Sequence, residues 1–189
     1  MDGKHRSFQE QVEKQPDYRY DVRNEIIINN DTMIFEEEYN VKVLMLNGSA
    51  KANGNTYASL LEVGRQLEKE GIEYEIFQMG GEPVRDCLGC GQCTENGCVF
   101  ADDKVNEFVA KAKEADGFVF GTPVYYAHPS GRILSFLDRV FYSSGRAFAF
   151  KPAASVAVAR RGGCSASFDV MNKYYGICQM PVAGSTYWN

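Results

Sequence analysis

Four cysteines fall within twelve residues near the middle of the chain, in the spacing C-x2-C-x2-C-x4-C. Four thiolates are the ligand set of a [4Fe–4S] cluster, and spacing this tight lets one loop wrap it. The other two cysteines, Cys164 and Cys178, stand alone, so the chain has no second set of ligands for a second cluster. The pattern therefore predicts one iron–sulfur cluster with these ligands: Cys87, Cys90, Cys93 and Cys98.

Three other chemistries remain open for the same cysteines. Zinc is usually held by two separated C-x2-C pairs, which this run matches less well. A C-x-x-C pair also serves thiol–disulfide redox sites, and the thiols can be present without any metal. In favour of a cluster, Gly89, Gly91 and Gly97 free the backbone to fold around it.

A second candidate site is the polar loop N-G-S-A-K-A-N-G-N-T at 47–56. It follows a short apolar run and leads into a helical pattern. Ser49, Asn55 and Thr56 supply hydroxyl and amide groups, and a helix N-terminus supplies free N–H groups and a dipole that favours an anion. This is the chemistry of a phosphate cradle, although the residues match neither the Walker pattern nor GxGxxG. The alternative is an ordinary polar turn before a helix.

The elements that must position these loops alternate along the chain. Such alternation predicts βαβ units, hence an α/β fold with a doubly wound five-stranded parallel sheet in three α/β/α layers. Ligands of such sheets bind at the carboxyl ends of the strands. Strand patterns occupy 41–46, 72–79, 117–122, 154–159 and 180–183, and helix patterns occupy 56–70, 105–112, 130–142 and 165–175. The sequence ends just after the last strand, so the final covering helix is expected to be missing.

The first forty residues do not follow this alternation. We expect residues 1–40 to form an N-terminal extension, with a hairpin at 25–36, and residues 41–189 to form the α/β domain. One hypothesis is that the extension covers the sheet face that the missing helix leaves open. A truncated chain with an unrelated tail explains the same observation.

Charge and composition exclude several classes of function. Residues 1–40 hold 5 Lys/Arg and 10 Asp/Glu, whereas residues 41–189 hold 15 of each, so the net charge of −5 lies wholly in the extension. No basic patch indicates a nucleic acid partner and no polybasic stretch indicates a membrane surface. No apolar run is long enough to span a membrane. The polar N-terminus does not resemble a signal peptide, so a cytoplasmic location is expected.

Two loops and the cysteine run resemble a known family. The loop 47–56 is similar to the first flavin loop of the NADPH-dependent FMN reductase family, within the flavodoxin-like superfamily. The stretch G-T-P-V-Y-Y at 121–126, followed by Ser130 and Gly131, is similar to that family's second flavin loop. The cysteine run is similar to that of the iron–sulfur flavoproteins of the same group. The resemblance covers 41–189 and implies a flavodoxin-like fold, FMN as cofactor and NAD(P)H as a reductant.

The resemblance also implies which residues contact FMN. The first loop would surround the phosphate, the second would line the isoalloxazine ring, and a third would follow the fourth strand. Pro123 is expected to fix the turn after the strand, and the two tyrosines to offer flat faces for stacking. The implied residues are Ser49, Lys51, Asn53, Asn55 and Thr56 in the first loop, Pro123, Val124, Tyr125, Tyr126 and Gly131 in the second, and Arg160, Arg161, Gly162 and Gly163 in the third.

Together these features predict an FMN-dependent oxidoreductase that transfers electrons through flavin and a [4Fe–4S] cluster. Its donor would be a small molecule or a ferredoxin-like protein. No catalytic side chain is predicted, because the flavin carries the chemistry. The alternatives are a cluster-free NAD(P)H:FMN or quinone reductase and a non-catalytic electron carrier or redox sensor. The resemblance implies a homodimer or homotetramer, with the cysteine loop as a contact surface.

Overall fold

Parallel strands alternate with helices along residues 40–184, the part of the chain that this computed structural model describes. The strands are β1 (Lys42–Asn47), β2 (Glu73–Gln78), β3 (Gly117–Tyr125), β4 (His128–Pro129) and β5 (Ala153–Val158). The helices are α1 (Asn55–Lys69), α2 (Val105–Glu114), α3 (Gly131–Ser144) and α4 (Cys164–Ile177), with a 3-10 helix at Gly145–Phe148 after α3.

The sheet order is β2-β1-β3-β5, with all neighbours parallel. A fifth position beyond β5 is filled by a single parallel bridge between Ala153 and Val182, where the N–H of Ala183 donates to the carbonyl of Ala153 at 2.8 Å. The five-stranded parallel sheet is therefore confirmed, with its last strand reduced to one bridge. From β1 the chain first forms β2 on one side and later forms β3 on the other side. The topological switch point therefore lies between β1 and β3.

The core divides into two layers because successive strand side chains point to opposite faces of the sheet. Leu44 and Leu46 of β1 face a large cluster, rich in phenylalanine, that packs against α2, α3 and α4. Met45 faces a smaller cluster around Leu60 of α1. Helices thus cover both faces, which confirms the three-layer prediction.

The turn predicted at Pro123 is wrong. Strand β3 continues through Pro123, which pairs with Val158, and the chain turns at Tyr126 and Ala127 into the antiparallel β4. Proline is tolerated there because it lies near the end of the strand, where its missing N–H disturbs little of the ladder. Its carbonyl still accepts a hydrogen bond from the N–H of Ser130, at 3.2 Å.

Two sequence predictions lie outside the described residues. These are the hairpin at 25–36, with nearly all of the N-terminal extension, and the chain end where a final helix was expected to be missing. Within 40–184, no helix is long and apolar enough to cross a membrane.

Candidate functional site: three strand-end loops and a cysteine loop

The first loop is held by a polar network at the ends of β1 and β2. Asn47, fully buried, accepts a hydrogen bond through Oδ1 from the N–H of Ser49 at 3.1 Å. Its Nδ2 donates to Gln78 Oε1 at 2.5 Å and to the Lys51 carbonyl at 3.3 Å. Gln78 Nε2 in turn donates to the Ser49 carbonyl at 2.7 Å. Two side chains therefore clamp the loop from below, and the sequence reasoning assigned neither of them a role.

The residues predicted to surround the phosphate fall into a buried group and an exposed group. Ser49 and Thr56 are buried beneath the loop. Helix α1 starts at Asn55 after the N-cap residue Gly54, which has no side chain to cap it, so the first-turn N–H groups are left for another acceptor. The remaining residues of the set are exposed: Lys51, Asn53 and Asn55.

The second loop is the hairpin between β3 and β4. Its two turn residues, Tyr126 and Ala127, both have positive φ, of 52° and 59°. A two-residue turn of this kind normally uses Asn or Gly, because side chains strain the left-handed backbone. Tyr126 is fully exposed and Tyr125 is 60% exposed, so two aromatic rings stand in solvent at the end of β3. Backbone strain of this kind is typical of functional sites.

The third loop joins β5 to α4 and packs directly on the hairpin. Gly163 has φ of 98°, and a Cβ added there would lie only 2.4 Å from the Cα of Ala127. Only glycine permits this approach. Arg160, Arg161 and Gly162 are exposed on the same loop.

The three loops follow β1, β3 and β5, and therefore meet at one edge of the sheet. The first contacts β3 directly, since the N–H of Gly48 donates to the Gly121 carbonyl at 2.8 Å, and the third contacts the second at Gly163 and Ala127. Gly131, at the start of α3, is exposed beside them, whereas Pro123 and Val124 are half-buried in β3. Every residue of the implied FMN set lies on these loops or in the elements that carry them.

The cysteine loop belongs to the connection between β2 and α2, and this connection also starts at the carboxyl edge of the sheet, after the outer strand β2. All four cysteines line one cavity, together with Leu88, Phe100, Arg139 and Tyr142. The glycines among them, Gly89, Gly91 and Gly97, all have positive φ, as a tightly wrapped loop requires. Cys164 and Cys178 are not part of this cavity.

A buried arginine of α3 joins both ends of this loop. Arg139 is 1% exposed. Its guanidinium donates to Cys98 Sγ at 3.4 Å, to the Arg85 carbonyl at 3.5 Å, to the Phe100 carbonyl at 2.6 Å and to the Asp103 carboxylate. Sequence reasoning missed Arg139, because it flanks the apolar stripe of an amphipathic helix, where charged residues are ordinary.

The two halves of the loop are held unequally. Asn106 of α2 exchanges two hydrogen bonds of 2.8 Å with the backbone of Cys98, and Thr94 and Gly97 exchange two of 3.0 Å. By contrast, residues 86–93 make no hydrogen bond to any other described residue. Three of the four cysteines therefore sit on the less constrained half.

The neighbouring thiols and the cation Arg139 shift the pKa values of groups that line the cavity. Burial, followed by repulsion from the other three cysteines of the run, raises the pKa of Cys93. For Arg139, burial alone would lower the pKa, but the hydrogen bonds to Cys98 and Asp103 outweigh it and raise the pKa. Among residues 40–184, no three Cys, His, Asp or Glu side chains are grouped so as to hold a metal ion.

Comparison with known proteins identifies the family. Residues 41–189 match the description of NADPH-dependent FMN reductases. The chain belongs to the NADPH-dependent FMN reductase family. An iron–sulfur flavoprotein of Methanocaldococcus jannaschii is 32% identical over 151 residues, which cover 76% of this chain and 76% of that protein.

Solved structures agree with the fold of this reductase family member. FerB, a flavoenzyme NAD(P)H:(acceptor) oxidoreductase from Paracoccus denitrificans, superposes with a TM-score of 0.58 at 15% identity, over 79% of this chain and 80% of that one. A flavodoxin from the domain Archaea gives a TM-score of 0.51 at 15% identity, over 76% and 78% of the two chains. The predicted flavodoxin-like fold, family and flavin-dependent oxidoreductase class are confirmed.

Proposed function

We propose that this reductase family member passes electrons between FMN at the sheet edge and a [4Fe–4S] cluster held by the cysteine loop. The observation that carries the proposal is that all four cysteines of the run line one cavity. The family accounts for the flavin, and the shared cavity supports the cluster. The proposed ligands are Cys87, Cys90, Cys93 and Cys98.

The residues at the sheet edge suit the two ends of FMN. The first loop offers buried hydroxyls on Ser49 and Thr56, the lysine Lys51, and the uncapped N-terminus of α1, which together suit a phosphate. The exposed faces of Tyr125 and Tyr126 suit a flat ring. Arg160 and Arg161 would place positive charge near the ring or near a nicotinamide phosphate. When bound, FMN supplies hydride and single-electron transfer.

The cysteine cavity offers the ligand set of a [4Fe–4S] cluster, because four thiols of one short run line it. Zinc is usually held by two separated C-x2-C pairs, which this run matches less well. A cluster bound here would supply one-electron transfer.

Partners follow from this chemistry. A flavin with a one-electron centre couples a ferredoxin-like or small-molecule donor to a two-electron acceptor. NAD(P)H is the proposed alternative reductant at the flavin. We also propose that the protein is cytoplasmic and that it divides into an extension at 1–40 and a flavin domain at 41–189. It would assemble into a homodimer or homotetramer, with the cysteine loop as a contact surface.

The test is to reduce the FMN-loaded protein anaerobically by two routes and follow the flavin absorbance by stopped flow. Reduced methyl viologen serves as one-electron donor and NAD(P)H as hydride donor. In Cys98→Ser, we expect at least tenfold slower flavin reduction by the viologen and an unchanged rate with NAD(P)H. Cys164→Ser is the matched control, because a serine hydroxyl can still donate to the Ala157 carbonyl as the Cys164 thiol does.

A cluster-free NAD(P)H:FMN or quinone reductase is the second candidate. It is favoured by the hydrogen bonding, since among the described residues no hydrogen bond joins the four cysteines to the three loops after β1, β3 and β5. Equal viologen rates in the wild type and Cys98→Ser, with normal NAD(P)H reduction, would select it.

A further inference from the structure

Arg139 is a buried cation that serves both as a clamp and as a charge. It contacts the carbonyl of Arg85 before the first cysteine and that of Phe100 after the last, so a single side chain pins both ends of the loop. Its Nε also reaches Cys98 Sγ at 3.4 Å. No other described residue of the structure donates a hydrogen bond from a side chain to one of the four cysteine sulfurs.

The charge of Arg139 is partly balanced by Asp103. This carboxylate lies on the same guanidinium, and only 10% of its side chain is exposed. Its other oxygen accepts from the N–H of Val105 at 3.1 Å, at the start of α2. Asp103 therefore holds its place independently of Arg139, and it weakens the field that Arg139 exerts on Cys98.

We infer that Arg139 is a positioning residue that raises the reduction potential of the group held by the cysteines, with Asp103 opposing it. The inference rests on the proposed function. Reduction adds one electron and no proton to the cysteine-bound group, so its charge becomes more negative by one. A nearby cation and a hydrogen bond to a ligand sulfur stabilise the more negative state, and both are known levers on cluster potentials.

The two residues therefore make predictions of opposite sign. Arg139→Gln removes the cation and should shift the midpoint potential to more negative values. Asp103→Asn leaves the cation unopposed and should shift the potential to more positive values, while its amide oxygen can still accept from Val105. Adding Arg139→Gln to Asp103→Asn should lower the potential again, and this double variant leaves no uncompensated charge, so it remains informative if Arg139→Gln alone does not fold.

Arg132 provides the matched control on the same helix. It is also a polydentate arginine, but its guanidinium donates to the carbonyls of Gly80, Gly81 and Glu82 and not to a cysteine. Arg132→Gln should leave the midpoint potential of the cluster unchanged.

The experiment is a dithionite titration of the anaerobically purified full chain, with the potential of the cluster followed by EPR and iron and sulfide measured for every variant. The inference is supported if Arg139→Gln lowers the midpoint potential and Asp103→Asn raises it. If Arg139→Gln does not fold, the double variant should instead have a lower potential than Asp103→Asn. Equal potentials in all variants, or shifts of the same sign, overturn it while leaving the proposed function intact. Wild-type protein that carries FMN but no iron overturns the proposed function and this inference with it.

Discussion

The three loops after β1, β3 and β5 are positioned mainly by the sheet and by backbone contacts, whereas the cysteine loop is positioned mainly by side chains such as Arg139 and Asn106. Loops after β1, β3 and β5 start where parallel strands end. Backbone contacts fix the first loop to β3, from Gly48 to Gly121, and the third loop to the hairpin, from Gly163 to Ala127. The cysteine loop has a hydrogen-bonded half near Cys98 and a half at 86–93 without hydrogen bonds to described residues. Its two ends meet on Arg139, and also through Arg85, whose guanidinium lies over the ring of Phe100 and 3.7 Å from the carboxylate of Asp102.

This contrast predicts that the largest single effect on stability comes from the cysteine side. Arg139→Met would leave the Asp103 carboxylate and two carbonyls without their partner, so the free energy of unfolding should fall by about 3–5 kcal/mol. Arg65→Met is the control, because its pair with Glu62 is exposed and should change stability by at most about 1 kcal/mol. Urea denaturation measures both. Equal losses of unfolding free energy in the two variants would contradict the prediction that the buried contacts of Arg139 stabilise the protein more than an exposed ion pair does.

At the sheet edge, the largest effect should come from the contact between the second and third loops. Gly163→Ala places a methyl 2.4 Å from the Cα of Ala127 on a left-handed backbone. Stability should fall by at least about 2 kcal/mol, from about 1–2 for the backbone and about 1–3 for the overlap, and FMN affinity should fall with it. Gly162→Ala meets nothing within 4 Å and should be neutral within about 0.5 kcal/mol. Thermal unfolding and FMN fluorescence titration check both variants.

The polar clamp under the first loop should have a smaller effect. Asn47→Ala leaves the Oε1 of Gln78 and the N–H of Ser49 without their partner, so the free energy of unfolding should fall by about 1–3 kcal/mol. FMN binding should weaken at least tenfold, while the iron content stays unchanged. Titration with FMN and iron analysis of the same sample measure the two regions separately. Loss of iron in Asn47→Ala would break the proposed separation.

The smallest effect should lie outside both regions, at an ion pair on the sheet surface. A hydrogen bond from Lys111 holds the pKa of Glu75 below its ordinary value of 4.5. Because the folded pKa is lowered, this stabilisation is fully present above about pH 4.5 and is lost as the pH falls through the lowered value. Glu75→Gln should therefore reduce the melting temperature slightly at pH 7 and hardly at all at pH 2. An equal reduction at both pH values would contradict the assignment.

The sequence predicted the sheet edge better than the cysteine loop. Strand and helix periodicity placed β1 to β3, β5 and all four helices to within a few residues, because each element buries an apolar face with a regular period. The sequence did not predict the hairpin between β3 and β4, because its turn residues Tyr126 and Ala127 carry no turn signal of the Asn-Gly type. Pro123 is a turn signal in the sequence, whereas the structure continues β3 through it to Tyr125.

The supporting side chains were not predictable from local pattern. Asn47 and Gln78 end separate strands, and their pairing depends on the parallel register of β1 and β2. Arg139 meets Cys98 across 41 residues of sequence. Such contacts are set by tertiary packing, whereas C-x2-C-x2-C-x4-C is a local spacing and was recognisable without it. The residues proposed to bind FMN and the cluster can therefore be recognised from sequence motifs, whereas the side chains that hold them in place can be identified only from the fold.

The central claim, one flavin and one cluster on the same chain, is tested most directly by composition. The protein would be purified anaerobically, and its visible spectrum recorded together with FMN, iron, acid-labile sulfide and zinc per chain. The account predicts one FMN with about four iron and about four sulfide, and a broad absorbance beneath the flavin bands. Flavin without iron, or with zinc in its place, would contradict it.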